Sequence, residues 1–545
     1  MSEPVTADGG RLAAEVLTRH EVDTVFTLSG GHLFPLYDGC VQRDIRLVDT
    51  RHEQTATFAA EGWAKVTRRT GVAALTAGPG VTNGVSAITA ARMNGSPLVV
   101  IGGRAPSARW GSGSLQELDH VPILAPVTKH AATIRASAAI PADLDGALTA
   151  AGAPHRGPVF VDIPLDAWGP ATVTCPDAPG PDAGRGAVPD PDEIARVAAV
   201  IAKAERPMLI VGGDVFWAGA EDALAAFVET ARIPAFANGM GRGLLPADHH
   251  LAFARVRGAA VRDSDLVVVA GTPLDFRLGF GELGTAAVVH LCDTPDGVAR
   301  HAALAASAAG DLGEMLTALA SAVGTASVQA DHDAWVANLR DRETAARAGD
   351  AELLGADASP VKPTRVYGEL LARLARDAIV IGDGGDFVSY AGKYVDSYRP
   401  GCFLDPGPYG CLGMGAGYAL AAGLAAPDRQ VVVLFGDGAI GFSLGDIDTL
   451  VRFGVDVVAV VGNNGIWGLE KHPMQLIYGY DVVAELRPGT RYDEVAVALG
   501  GHGELVTEPG DIGPALDRAF ATPGLSVVNV LTDPADAYPR SSNLG

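Results

Sequence analysis

The chain has 545 residues, with 41 basic side chains against 64 acidic ones and a formal net charge of −23. That balance excludes partners that demand a dense positive surface, namely a nucleic-acid backbone or an anionic lipid face. Hydrophobic residues make up 48% of the chain, enough for several cores, and the length predicts about three or four domains at roughly 100–200 residues each.

The N-terminus, MSEPVTADGG, shows no basic cap followed by an apolar run, and the apolar stretches are broken by Gly and charge. A soluble cytoplasmic protein without a membrane span is the expectation. Cys40, Cys175, Cys292, Cys402 and Cys411 are scattered without a CxxC, which suits neither a disulfide framework nor a zinc ribbon.

Short β-branched runs appear in chain order at 22–28, 45–50, 71–77, 97–103 and 157–164. A Pro/Gly/Asp-rich stretch at 175–190 reads as a linker. Further runs follow at 207–213, 265–271 and 286–293, then a second linker at about 349–363. DAIVIGDGG, QVVVLFGDG, VDVVAVVGNN and LSVVNVLTD complete the series. Continuous rather than alternating apolar strands, with helical stretches between them, predict parallel sheets covered on both faces. The expected fold class is α/β, as three doubly wound parallel-sheet domains at 1–174, 191–348 and 362–545. No GxGxxG follows the first strand of any segment, which weakens a plain dinucleotide-binding dehydrogenase.

The sharpest local signal is QVVVLFGDGAIGFSLGDIDTLVRFGVDVVAVVGNNGIWG at 430–468. It reads as strand, Gly436-Asp437-Gly438 loop, helix, strand, Asn463-Asn464 loop. A βαβ unit brings the carboxyl ends of its two strands together. Asp437 and Asn464 then reach one point, where a carboxylate and an amide oxygen form a hard-oxygen set suited to Mg²⁺ or Ca²⁺. Gly436 and Gly438 let backbone approach an anion, and a helix N-terminus favours negative charge.

GDG followed by NN at this spacing resembles the thiamine-diphosphate-dependent decarboxylases, lyases and acetohydroxyacid-synthase-like enzymes, over nearly the whole chain. The resemblance implies a pyrimidine-binding, a central and a diphosphate-binding domain. It implies thiamine diphosphate and Mg²⁺ as cofactors, with Asp437, Asn464 and the carbonyl of Ile466 as metal ligands. It makes Glu53, in LVDTRHEQTATFAAEGWAK, the carboxylate that activates the cofactor's aminopyrimidine. Gly78, in GPG, turns the chain beside that ring, and Met414 is the apolar wedge beneath the cofactor, with Leu412 as the alternative. Glu53 and Asp437 lie on different segments, and in the family they come from different subunits, so a homodimer or homotetramer is implied.

Further candidates follow from position. His32, in TLSGGHLFPLYDG, is placed to relay a substrate proton. Gln116 stands where the synthases carry FQE, and Leu115 occupies the spot of a Tyr in oxalyl-CoA decarboxylases. Glu470 lies at an offset that is catalytic in the pyruvate decarboxylases, and Trp467 is placed to wall the pocket. Within the family, NGMGRGLLPADHH, DLVVVAGTPLDFRLGFG and LRPGTRYDEVAVALGG look like the coenzyme A branch. In that branch the central domain binds ADP, with Arg255, Asp275, Arg277 and Asp293 as candidate contacts; acetohydroxyacid synthases hold FAD there instead. Thr272-Pro273 and Phe276 depart from the CoA-branch pattern. Arg399 and Arg540 are candidate partners for CoA phosphates, and the tail is a candidate lid.

The leading expectation is a 2-hydroxyacyl-CoA lyase, cleaving a coenzyme A thioester to formyl-CoA and a carbonyl compound. The alternatives are an oxalyl-CoA decarboxylase, an acetolactate-synthase-like carboligase and a non-catalytic nucleotide sensor. Retention of Glu53, Asp437 and Asn464 together argues against the last.

Overall fold

The structure, a computed structural model, describes residues 4–178, 180, 184–325 and 332–539. Three six-stranded sheets, each wholly parallel, follow one another along the chain. The first runs in the order Arg46–Asp49, Thr24–Thr27, Gly71–Leu75, Leu98–Arg104, Pro158–Pro164, His130–Thr133. The third repeats that topology with Phe403–Leu404, Ile379–Asp383, Val431–Gly436, Val457–Asn463, Leu525–Leu531 and His502–Val506. The central sheet differs: Ala252–Phe253, Ala235–Ala237, Pro207–Val211, Leu266–Ala270, Ala287–Cys292, Ala306–Ala309. Every sheet therefore reverses its strand order beside its own first strand. A crevice opens at the carboxyl edge at such a point, and ligands of open α/β sheets bind there. The expected α/β class with three doubly wound domains is what the structure has.

The outer domains share one apolar core, whereas the central domain has its own. The junction is the packing of helix Glu53–Thr67 on helix Gly415–Ala425. Small residues let the backbones meet: a Cβ at Gly62 would stand 2.9 Å from the Tyr418 Cα, and one at Gly417 would stand 2.8 Å from the Thr55 carbonyl oxygen. Lys65 and Glu61 are buried in this seam as an ion pair at 3.2 Å. Burying charge is costly unless the remaining groups are satisfied. Here Lys65 donates to the Tyr418 hydroxyl at 2.8 Å, while Asn94 and Ser96 donate to Glu61.

Two sequence expectations shift. The second linker begins later, because helix Asp333–Leu354 runs through AELL and stops at Gly355. Strong helix formers extend it, and Asp350 within it binds Arg255 at 2.9 Å and Lys393 at 2.7 Å. The linker at 175–190 lies partly outside the described residues. Among the described residues, no helix is long and apolar enough to cross a membrane, and Cys40, Cys292, Cys402 and Cys411 form no disulfide.

Candidate active site

The third sheet reverses between Ile379–Asp383 and Val431–Gly436. A cavity of about 410 Å³ opens there, lined by Gly384, Gly385, Asp437, Asn464, Ile466 and Trp467 among others. Asp437 begins the short helix after its strand and is buried. Its carboxylate accepts from the backbone N–H of Gly438 at 2.9 Å and of Gly465 at 2.6 Å. Burial nonetheless pushes its pKa up to about 6, because two amide dipoles do not replace lost hydration. A cation beside it would supply the missing charge. Asn463 and Asn464 divide their work: Asn463 donates to the Thr490 carbonyl and to Asn529, anchoring the loop, while Asn464 lines the cavity.

Glycines keep the floor thin. A Cβ at Gly438 would stand 2.4 Å from the Trp467 ring, and one at Gly385 would stand 2.7 Å from Leu469. The donor set and this bare backbone fit a metal-bound diphosphate. Trp467 and Glu470 also line the cavity. Glu470 is exposed, and the neighbouring Lys471 pairs with Glu485 rather than with it.

Of the two candidates for an apolar wedge, the structure brings Leu412 rather than Met414 to this cavity. Met414 is fully buried and packs in the shared core of the outer domains, whereas Leu412 lines the cavity. The cause is Asp383, at the end of its strand. Its buried carboxylate accepts from Gly413 N at 3.0 Å and Gly415 N at 2.7 Å. That clamp brackets Met414 and holds it in the core. Asp383 is a functional residue that motif reading missed.

The first sheet reverses between Thr24–Thr27 and Gly71–Leu75, and the pyrimidine candidates gather there. Glu53 starts its helix and is buried, with Asn83 Nδ2 donating to its Oε2 at 2.9 Å. A Cβ at Gly80 would stand 3.6 Å from its Oε1, so this glycine leaves the carboxylate room. Gly78 caps the next helix at φ +59, and a Cβ on it would meet Gln116 at 3.0 Å. Gln116 is itself left-handed at φ +60. His32 is buried, 3.3 Å from the Thr76 hydroxyl, and burial lowers its pKa. It is therefore neutral at pH 7. Leu115 is 78% exposed in this chain, so the protein's own fold does not bring it to a pocket.

None of the residues lining the Asp437 cavity precedes Phe276. Glu53 is thus not among the residues lining that cavity within one chain.

The expected nucleotide contacts gather only in part, with Arg277 and Asp293 together lining the central-domain crevice. Arg255 is buried against Asp350, with Asp396 4.0 Å away, and it lines a separate interdomain hollow. It is structural, not a ligand contact. Asp275 is spent on Arg277, accepting from Nε and Nη2. Asp293 does line the central-domain crevice of about 520 Å³, but it pairs with His155 at 3.1 Å, with Asp214 also near. Lys65, Arg92, Lys129 and Arg277 line the same crevice. Arg399 is exposed and lines neither crevice, and Arg540 lies outside the described residues.

Sequence profiles agree with this division. Residues 7–123 match the thiamine pyrophosphate enzyme N-terminal TPP-binding domain, 194–319 the central domain and 383–530 the C-terminal TPP-binding domain. The chain belongs to the thiamine pyrophosphate enzyme family and is a thiamine-diphosphate-dependent enzyme. It is 55% identical to the acetolactate synthase large subunit IlvG of Mycobacterium tuberculosis over 542 residues, covering 99% of this chain and 98% of that one. Identity to 2-hydroxyacyl-CoA lyase 2 is 33% for both the Caenorhabditis elegans protein, over 92% of this chain and 84% of the other, and the Homo sapiens protein, over 92% and 85%. The expected placement in the coenzyme A branch is thereby overturned.

Proposed function

We propose that this protein is an acetolactate-synthase-like carboligase that joins two small 2-keto acids with loss of carbon dioxide. The observation that carries the reading is Arg277. It lines the Asp437 cavity, and Asp275 holds its Nε and Nη2, leaving Nη1 for an anion. A guanidinium held this way at a small cavity suits a carboxylate. Two of the cations expected at nucleotide or CoA phosphates, Arg255 and Arg399, line neither crevice.

Thiamine diphosphate, when bound, would supply a carbanion-like nucleophile and an electron sink, so that the former keto carbon of the first acid, once decarboxylated, could join the second carbonyl. Asp437, Asn464 and the carbonyl of Ile466 would hold Mg²⁺, whose charge would offset that of a diphosphate. Glu53, oriented by Asn83, exchanges a proton with the pyrimidine nitrogen. Leu412 and Trp467 keep water from the reacting carbon. His32, being neutral, moves a proton at the substrate oxygen, with Gln116 beside it. Glu470 stands at the mouth, within reach of a substrate hydroxyl. A second copy of the chain supplies Glu53 to each Asp437 cavity, which makes the working unit at least a homodimer.

The test offers pyruvate and a 2-hydroxyacyl-CoA separately to protein loaded with thiamine diphosphate and Mg²⁺, with products read by mass. Acetolactate and carbon dioxide from pyruvate are expected. Formyl-CoA from the thioester, with pyruvate untouched, would overturn the reading.

A further inference from the structure

Behind the pyrimidine half-site lies a buried chain of polar groups that the proposed chemistry does not use. Gly78 N–H donates to His120 Nε2 at 2.9 Å. His120 Nδ1 lies 2.8 Å from Asp162 Oδ2, which also accepts from Arg104 Nη1 at 2.8 Å. His120 and Asp162 are both fully buried. The imidazole packs edge-on against Phe160, 6.1 Å between ring centres, so it cannot turn freely.

These contacts fix the proton. Nε2 receives an N–H and must be bare, so the single proton sits on Nδ1 and is donated to the carboxylate. The opposite tautomer would set a bare nitrogen against Asp162 and an N–H against an N–H. Arg104 balances the Asp162 charge and stacks its guanidinium 4.1 Å over Trp110, on the loop that leads to Gln116.

What this holds is a strained point. Gly78 lies at φ +59 and ψ −112 as the cap of helix Pro79–Asn94, a conformation that its packing against Gln116 reserves for glycine. The first two turns of that helix carry Gly80 and Asn83, which border and bind the Glu53 carboxylate.

We propose that His120 is a positioning residue: as the Nδ1–H tautomer set by Asp162, it holds Gly78 and thereby the turn that seats Glu53 for cofactor activation. It touches neither substrate nor cofactor. The proposal rests on Glu53 being the activator, and the test separates the two.

His120→Gln places an amide oxygen near Nε2 and keeps an acceptor for Gly78. His120→Asn reaches only Asp162. Asp162→Ala removes the acceptor from Nδ1 and leaves the tautomer unset. Two readouts are taken on the full protein: hydrogen exchange of the Gly78 amide without cofactor, and proton exchange at C2 of bound thiamine diphosphate by NMR. The Gln variant should keep the amide protected and stay within about threefold of wild type in C2 exchange. The Asn variant and Asp162→Ala should lose amide protection and slow C2 exchange about 10- to 100-fold, the scale of a misplaced reacting group. Wild-type behaviour of Asp162→Ala and His120→Asn, or a Gln variant as impaired as they are, would overturn the proposal. Wild-type exchange in a Glu53→Gln control would instead remove the activator, and His120 would then stand or fall on the Gly78 amide alone.

Discussion

Gly438→Ala is the smallest change that should empty the diphosphate cavity. The added Cβ would lie 2.4 Å from two carbons of the Trp467 ring, against 3.4–4 Å for ordinary contact. The ring must retreat by about 1 Å, and overpacking of this kind costs ~1–3 kcal/mol. Trp467 is only half-buried, and Phe442 sits edge-on to it at 6.5 Å. The strain is therefore relieved by moving the ring into the cavity, so affinity is lost rather than the fold. At 1.4 kcal/mol per decade, the Kd for thiamine diphosphate should rise ~10- to 100-fold. Titration calorimetry in Mg²⁺ measures it, with Tm of the cofactor-free protein as the control for folding. Trp467→Ala removes the obstacle, so the double variant should regain most of the loss and give a coupling energy of the same size. A Gly438→Ala protein that binds as wild type, or a double variant no better than the single, would refute the packing argument.

Three further outcomes are expected. Glu53→Gln should bind thiamine diphosphate with near-native affinity yet slow C2 proton exchange by ~10²-fold or more, the scale of lost acid–base catalysis. Arg277→Gln should raise KM for pyruvate ~10- to 100-fold, as loss of a charged hydrogen bond predicts, while the cofactor Kd holds; an unchanged KM would remove Arg277 from the substrate site. The third concerns the seam between the first and central domains. Burial alone would lower the His155 pKa, but Asp293 and Asp214 raise it above 6.5, and burial lifts Asp214 itself to about 7. A raised histidine pKa stabilises the fold fully below its unfolded value and loses that contribution as pH climbs through the folded one. A raised carboxylate pKa acts in the same direction, costing stability as pH rises from the ordinary carboxylate range towards 7. The wild-type Tm should thus fall from about pH 6.5 upward more steeply than that of His155→Gln; parallel curves would contradict this.

The fold was legible where physics leaves a strong trace. Inner strands such as Val431–Gly436 and Val457–Asn463 are covered on both faces and read as unbroken apolar runs. Edge strands such as His130–Thr133 and Ala306–Ala309 are short and built from small or polar residues, so they carry no such signal. The same contrast holds in the site. Asp437 and Asn464 stand out because a local βαβ spacing joins them. Leu412 and Met414 flank one glycine, and only the distant clamp of Asp383 decides which faces the cavity. Arg255 and Asp350, or His120 and Gly78, meet through tertiary contacts that no local pattern announces. The branch of the family was misread because substrate choice rests on few side chains, and Leu115, offered as one of them, is exposed in this chain.

The central claim is that Glu53 of one copy and Asp437 of another serve a single cofactor. Glu53→Gln and Asp437→Ala chains carrying different tags should be co-expressed and the mixed oligomer isolated. Each parent should be inactive with pyruvate. In the mixed pair one site carries both changes and the other carries neither, so about half of the wild-type activity should return. A purified mixed oligomer no more active than its parents would contradict the account.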